Sequence, residues 1–245
     1  MLLSVVAVDA MAWTAEVNKA ILLFAEENLS NKTKARVESI LDKPLSAVVF
    51  ANKGKNQTRL NEAGKSVTTA EGDAVVRLEK ALATFSNENT SMAEMKAALL
   101  EVVELTVDIH CPSNILIDKR LEGDFTFGRD NGRPKGSRWF KVQPRKWQAM
   151  WHERYHKDHG SFSAEMYLYD WMIATKGMAK QYKKAAVAPR VWAEHTGARV
   201  LESLKTFQPD AVVNMLEITK QEPVNDAAMF DAAFRLARVL NVILK

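Results

Sequence analysis

Cysteine is almost missing from this chain. Cys111 is the one example in 245 residues, which excludes an internal disulfide and a cysteine-rich zinc cluster, so any metal site has to be built from His, Asp, Glu and backbone oxygen. No histidine precedes His110, so the amino-terminal part of the chain offers no imidazole to any site. Seven prolines and ten glycines are few, and no Ser/Gly/Pro-rich or low-complexity stretch separates the periodic segments, so nothing marks an internal domain boundary. The charge excess is small, with 34 Lys and Arg against 30 Asp and Glu, and it permits a phosphate-bearing partner without requiring one. No apolar run is long enough to span a bilayer, so stable membrane insertion is not expected. What remains, 47% apolar and 26% charged residues, is the composition of a globular chain able to bury one sizeable core.

Helical spacing dominates. Val17, Ile21, Phe24, Ala25, Leu29, Val37, Ile40 and Leu41 fit one or two amphipathic helices broken around Ser30-Asn31, with Ser30 an N-cap and Pro44 ending the pattern. Ala74 to Phe85 and Met92 to Val107 repeat the period, and Ser91 and Glu94 stand in capping-box register. Residues 123 to 144 differ, since Phe125, Phe127, Trp139, Phe140 and Val142 lie among Gly128, Gly132, Pro134 and Gly136, which reads as an irregular, turn-rich hairpin. Helical periodicity returns from Trp147 to Tyr182, Pro189 to Phe207 and Asp226 to the end. The expected fold is mainly α, a single-domain multi-helix body. The first twelve residues form a short apolar run ending in Ala-Met-Ala, which suits a signal peptide cleaved before Trp13 and export to the periplasm or outside the cell, with residues 13–245 as the helical domain; no Lys or Arg precedes the run, and an ordinary buried helix is the alternative.

Glu104 and Asp108 are four apart, as are His152 and His156, so each pair shares one face of a helix, and two facing helices of this kind can hold a divalent cation. An exposed charged face explains each pair equally well when taken alone. A basic run, Arg129, Arg133, Lys135, Arg138, Lys141, Arg145 and Lys146, is interleaved with Trp139, Phe140 and Trp147; it suits a phosphate backbone with stacked bases, or simply a solvated loop over buried aromatics.

A longer set of motifs runs in order along the chain. Trp13 precedes Asn18-Lys-Ala-Ile-Leu-Leu-Phe-Ala; Phe50-Ala-Asn52, Glu71-Gly-Asp-Ala, Val107-Asp-Ile-His-Cys-Pro112, Phe140-Lys-Val142, Trp151-His-Glu-Arg-Tyr-His156, Trp192-Ala-Glu194 and Ala233-Phe-Arg-Leu-Ala-Arg-Val-Leu-Asn241 follow. In this order the chain resembles the zinc-dependent single-strand nucleases, the S-one/P-one family that also cleaves 3′-nucleotides on the phospholipase C/nuclease fold. The resemblance implies a helical fold with three clustered zinc ions that activate water against phosphodiesters of single-stranded nucleic acid, the mature chain beginning at the tryptophan, whose amine and carbonyl bind zinc.

Carried over position by position, the resemblance implies an eroded ligand set. Trp13 and Asp108 stand where the family has ligands, whereas Asn18, Asn52 and Asn114 replace them and Glu104 stands for a histidine. The final ligand pair is His152 and His156; Lys55 stands for a phosphate-facing arginine, and the Gly-Gly-Asn motif has become Gly136-Ser137-Arg138. Neutral amides are weak zinc ligands, so one zinc ion or none is expected instead of three. The first functional reading is a metal-dependent endonuclease in which Glu104, Asp108, His152 and His156 hold the ion, Asp108 and Lys55 serve catalysis, and Lys55 and Arg138 bind phosphate. The second is a catalytically inactive nucleotide-binding or protein-interaction module on the same scaffold.

Overall fold

The computed structural model describes residues 13–50, 56–117, 124–129, 141–146, 161–206, 212–214 and 220–245. The leader, Asn52, Lys55, Arg138, His152 and His156 therefore lie outside the described residues. Helices dominate, as the periodicity predicts: α1 (Ala15–Glu27), α2 (Asn31–Leu41), α3 (Ala74–Thr84), α4 (Met92–Asp108), α5 (Ala164–Ala174), α6 (Ala179–Lys183), α7 (Pro189–Thr206) and α8 (Glu222–Ile243). None of the described helices is long and apolar enough to cross a membrane.

Short polar side chains start α2 and α4 as the sequence predicts. Ser30 Oγ accepts from Thr33 N at 3.1 Å at the head of α2, and the Ser91–Glu94 capping box opens α4, Ser91 Oγ accepting from Glu94 N while Glu94 Oε2 accepts from Ser91 N at 2.8 Å. One cap crosses between helices: Glu16 on α1 accepts from Ala164 N at 3.0 Å, satisfying an orphan donor at the start of α5.

The longest helix, α8, is buried almost all round between Ala228 and Leu240, as expected of a helix at the centre of a bundle. It packs against α1, α4 and α6, while α1 also packs against α5 and α3 against α4. Phe234 of α8 meets Phe24 of α1 edge-on at 4.9 Å, and Phe230 meets Trp171 of α5 at 5.6 Å, so aromatic edges join the three helices in one core.

Strands are short. β1 (Thr58–Leu60) pairs in parallel with β2 (Ile115–Ile117), and β3 (Asp124–Arg129) pairs antiparallel with β4 (Lys141–Lys146) and in parallel with β5 (Val212–Asn214). The β3–β4 pair falls where the turn-rich segment predicts a hairpin; β1, β2 and β5 have no such signal, being three residues each. Gly197 on α7 lets β1 approach, since a Cβ there would collide with Leu60 Cδ1. That contact helps seat β1, and therefore the residue just before it, against the helices.

Candidate functional site

The site follows from the interior of α4. Seventeen residues beginning at a capping box carry an apolar run from Ala98 that buries Leu99, Val102, Val103, Leu105 and Val107, so the helix enters the core with its carboxylates attached. Glu104 and Asp108 keep the same face and are 8% and 2% exposed. After Asp108 the chain turns through Pro112–Asn114 into β2, and the β1–β2 pairing brings the segment around Asn56 back beside the end of α4. Asp73 fastens this arrangement: it caps α3 through Val75 N at 2.9 Å and accepts from Arg59 N at 2.8 Å, tying β1 to α3.

Asn56, 2% exposed, is the centre of the result. Its Nδ2 donates to Asp108 Oδ2 at 2.6 Å and to Glu104 Oε1 at 3.0 Å, one amide N–H for each carboxylate. Its Oδ1 accepts from Arg77 Nη1 at 2.6 Å, and Arg77 Nη2 donates to Glu101 Oε1 at 2.6 Å. The orientation of the amide is forced, because carboxylates only accept when ionised and guanidinium only donates. The result is a line Glu101–Arg77–Asn56 ending on two carboxylates.

Burial is the largest influence on Asp108 and pushes its carboxyl up to about 7; the Asn56 hydrogen bond and the Arg77 charge oppose that rise, and Glu104 adds to it. The group therefore titrates near neutrality, which is where a proton-transfer group or a strained structural carboxylate would be poised.

The other expected ligand positions are placed as follows. Asn114 points its amide back at α4, Nδ2 donating to the Asp108 carbonyl at 3.2 Å alongside Cys111 N at 3.0 Å, and it also helps hold down the Asp108 carboxyl. Trp13 is buried just before α1, and among the described residues its Nε1 has no hydrogen-bond partner; Asn18, on the first turns of α1, has a buried Oδ1 in the same condition. Their helix packs chiefly on α5 and α8. Cys111 is a buried thiol, pushed up to about 12 by burial and 3.1 Å from Ser113 Oγ, as suits an inert core residue. Of the basic run, Arg129 stands opposite Lys141 and Phe125 opposite Arg145 on the β3–β4 ladder; Arg133, Lys135 and Arg138 lie outside the described residues.

The donor set that the described residues offer does not fit a zinc ion. Among them no group of three or more His, Cys, Asp or Glu side chains is disposed to hold a metal, and the space between Glu104 and Asp108 faces the NH2 of Asn56. Those hydrogens engage one oxygen of each carboxylate, Glu104 Oε1 and Asp108 Oδ2, and an amide nitrogen is not a ligand.

A second buried polar group lies along α8. Arg235 donates from Nη1 to His110 Nε2 and from Nη2 to His195 Nδ1, both at 2.9 Å. Thr106 O accepts a hydrogen bond from His110 Nδ1–H at 2.5 Å while Nε2 accepts from Arg235, so His110 is the neutral Nδ1–H tautomer; burial first, and Arg235 second, hold it down to about 3. Asp231 neutralises the neighbourhood, accepting from Tyr182 at 2.5 Å and Arg199 at 2.7 Å, and lying 3.5 Å from Arg235. His195, by contrast, is exposed at the surface.

Sequence reasoning missed Asn56, Arg77 and the role of Arg235. Asn56 had no local signal. Arg235 had one, since Asp231 and Arg235 are four apart inside an otherwise apolar helix, which demands that each find a partner. The chain matches no family model, and no curated protein matches it at significant similarity.

Proposed function

We propose that this chain is a non-hydrolytic binding protein on a helical scaffold of the single-strand nuclease type, in which the Glu104–Asp108 pair is held by the Asn56 amide instead of a metal ion. The carrying observation is the amide that donates at 2.6 and 3.0 Å to both carboxylates while Arg77 holds its oxygen. An ion bridging Asp108 Oδ2 and Glu104 Oε1 would compete with both of these buried donors for the same oxygens. Asn at a former ligand position is also what a metal-free pocket favours, because it removes negative charge that no cation offsets. By the resemblance Asn52, which stands for an aspartate, fits that pattern, whereas Asn18 and Asn114 stand for histidines and are simply weaker ligands.

By the resemblance, the ligand is a nucleotide or single-stranded nucleic acid, with a protein partner as the other occupant. The competing reading, a metal-dependent endonuclease with one zinc on Glu104, Asp108, His152 and His156 and with Lys55 and Arg138 on the phosphate, draws on the shared buried face of Glu104 and Asp108. Export with cleavage before Trp13 accompanies either reading and is tested by the mass of the mature protein.

The deciding experiment is metal content by mass spectrometry on protein purified without chelator, together with cleavage of single-stranded DNA, RNA and 3′-nucleotides in added zinc. The proposal expects well under one zinc per chain and no cleavage. Tightly bound zinc, with cleavage abolished in His152→Ala, would overturn it.

A further inference from the structure

A groove of about 850 Å³ lies where the α1–α2 junction, α6 and the last turns of α8 meet, within the roughly 300–1,000 Å³ usual for small-molecule sites. It shares no residue with the Glu104–Asp108 site. Lys32, Lys183, Arg238 and Lys245 line it against a single carboxylate, Glu27. Among the cations outside the groove, Lys19 pairs with Glu165, Lys65 with Glu194, Lys96 with Asp42 and Arg190 with Glu79. Among the described residues the four groove cations have no acidic partner.

The walls are fixed before any ligand arrives. Asn241 of α8 uses both ends of its amide on the α1–α2 junction, accepting from Ser30 N at 2.9 Å and donating to Asn28 O at 3.1 Å. Arg238 Nε donates to Ala185 O at 3.0 Å, which anchors the guanidinium while leaving its Nη groups without a partner among the described residues. Tyr182, stacked on Phe234 at 4.5 Å and 10°, adds an aromatic ring to the lining.

Helix α2 also begins in the groove, and its first turn carries Lys32 and Lys34 with no acidic residue. Lysines at the positive end of a helix dipole are unfavourable; Lys34 is offset by Glu26 at 3.3 Å, whereas Lys32 has no acidic partner among the described residues. An anion seated there relieves both the dipole and the like-charge crowding.

We propose that this groove binds a small phosphate-bearing ligand, with Lys32, Lys183 and Arg238 holding the phosphate and Tyr182 beside it. Several cations lining one groove with fixed walls suit a compact, multiply charged anion, and Arg and Lys are the side chains that hold phosphate oxygens. The inference is independent of the non-hydrolytic reading.

The test is calorimetric titration of the full chain with inorganic pyrophosphate, adenosine diphosphate and adenosine at low and high salt, with amide shifts followed by NMR. Pyrophosphate and adenosine diphosphate are expected to bind, more weakly as salt rises, and to shift the amides of residues 31–33. Adenosine alone is expected not to bind. Lys183→Gln and the double variant Lys32→Gln/Lys183→Gln, both at exposed positions, are expected to weaken binding about tenfold or more, and Lys19→Gln to leave it unchanged. No binding of either phosphate compound, adenosine binding as tightly as its diphosphate, or affinities unmoved by the Lys32 and Lys183 variants would each overturn the proposal. An intact groove with no metal, or a metal with no groove binding, separates this result from the nuclease question.

Discussion

Replacing Asn56 by alanine removes an amide that donates to both carboxylates. The variant loses two amide N–H bonds, at 2.6 and 3.0 Å, and strips Arg77 of its Asn56 acceptor. Hydrogen bonds to charged groups contribute about 1.5–3 kcal/mol each, and they do not add fully because Asp108 can take up a proton. A loss of about 3–5 kcal/mol above neutrality follows, the cost typical of breaking a buried charged pair. Its pH dependence carries the sharper test. The Asp108 carboxyl is already raised from 3.8 to about 7 in the folded state, so the folded protein binds the proton that the unfolded chain has lost; stability from this group is complete below about pH 3.8 and is lost as pH climbs toward 7. Removing the Asn56 donors raises the folded value further. The Asn56→Ala deficit therefore grows with pH, by up to about 1.4 kcal/mol per pH unit, and is smallest near pH 5. Urea unfolding followed by far-ultraviolet circular dichroism at pH 5 and pH 8 measures it. A deficit below about 1 kcal/mol at pH 8, or one equal at both pH values, would refute the view that the amide stands in for a cation.

Three further outcomes follow from the same structure. Asp108→Asn keeps the shape, removes the buried charge and is expected to flatten the stability profile between about pH 4 and 7 while matching or exceeding the parent at pH 8, read by the same unfolding assay. His110 is held down to about 3, so its contribution is present above 6.5 and lost as pH falls toward 3; His110→Gln, which keeps an acceptor for Arg235 without titrating, should reduce the acid-side slope of about 1.4 kcal/mol per pH unit, and an unchanged slope would remove His110 from the account. Gly197→Ala drives a methyl into Leu60 Cδ1 and is expected to cost about 1–3 kcal/mol in thermal or urea unfolding, with part recovered in the Leu60→Ala background; additive losses would show that the two do not touch.

The polar residues of the carboxyl-terminal motif show how far a sequence can be read. Arg235, Arg238 and Asn241 stand out as a shared pattern, but their work is unspecified until α8 is packed: Arg235 reaches His110 and His195, Arg238 reaches Ala185, and Asn241 reaches Ser30 and Asn28. None of those partners is near in sequence. Asn114 is the opposite case. The resemblance marks it as standing for a ligand, whereas the packed structure uses its amide at the end of α4.

The chain alone determines its helices, because apolar spacing, the Ser30 cap and the Ser91–Glu94 capping box are local: each joins residues no more than a few positions apart. It also determines that Glu104 and Asp108 share a face, since four residues return a helix almost to the same side. Only tertiary structure decides what meets that face. The pairing of two three-residue strands and the packing of α3 on α4 bring Asn56 and Arg77 to carboxylates 48 and 24 residues away along the chain, for the Asn56–Glu104 and Arg77–Glu101 pairs respectively. Burial then does the rest, because a carboxylate out of water must find a donor, a cation or a proton, and which of the three it finds is settled by the neighbours that the fold supplies.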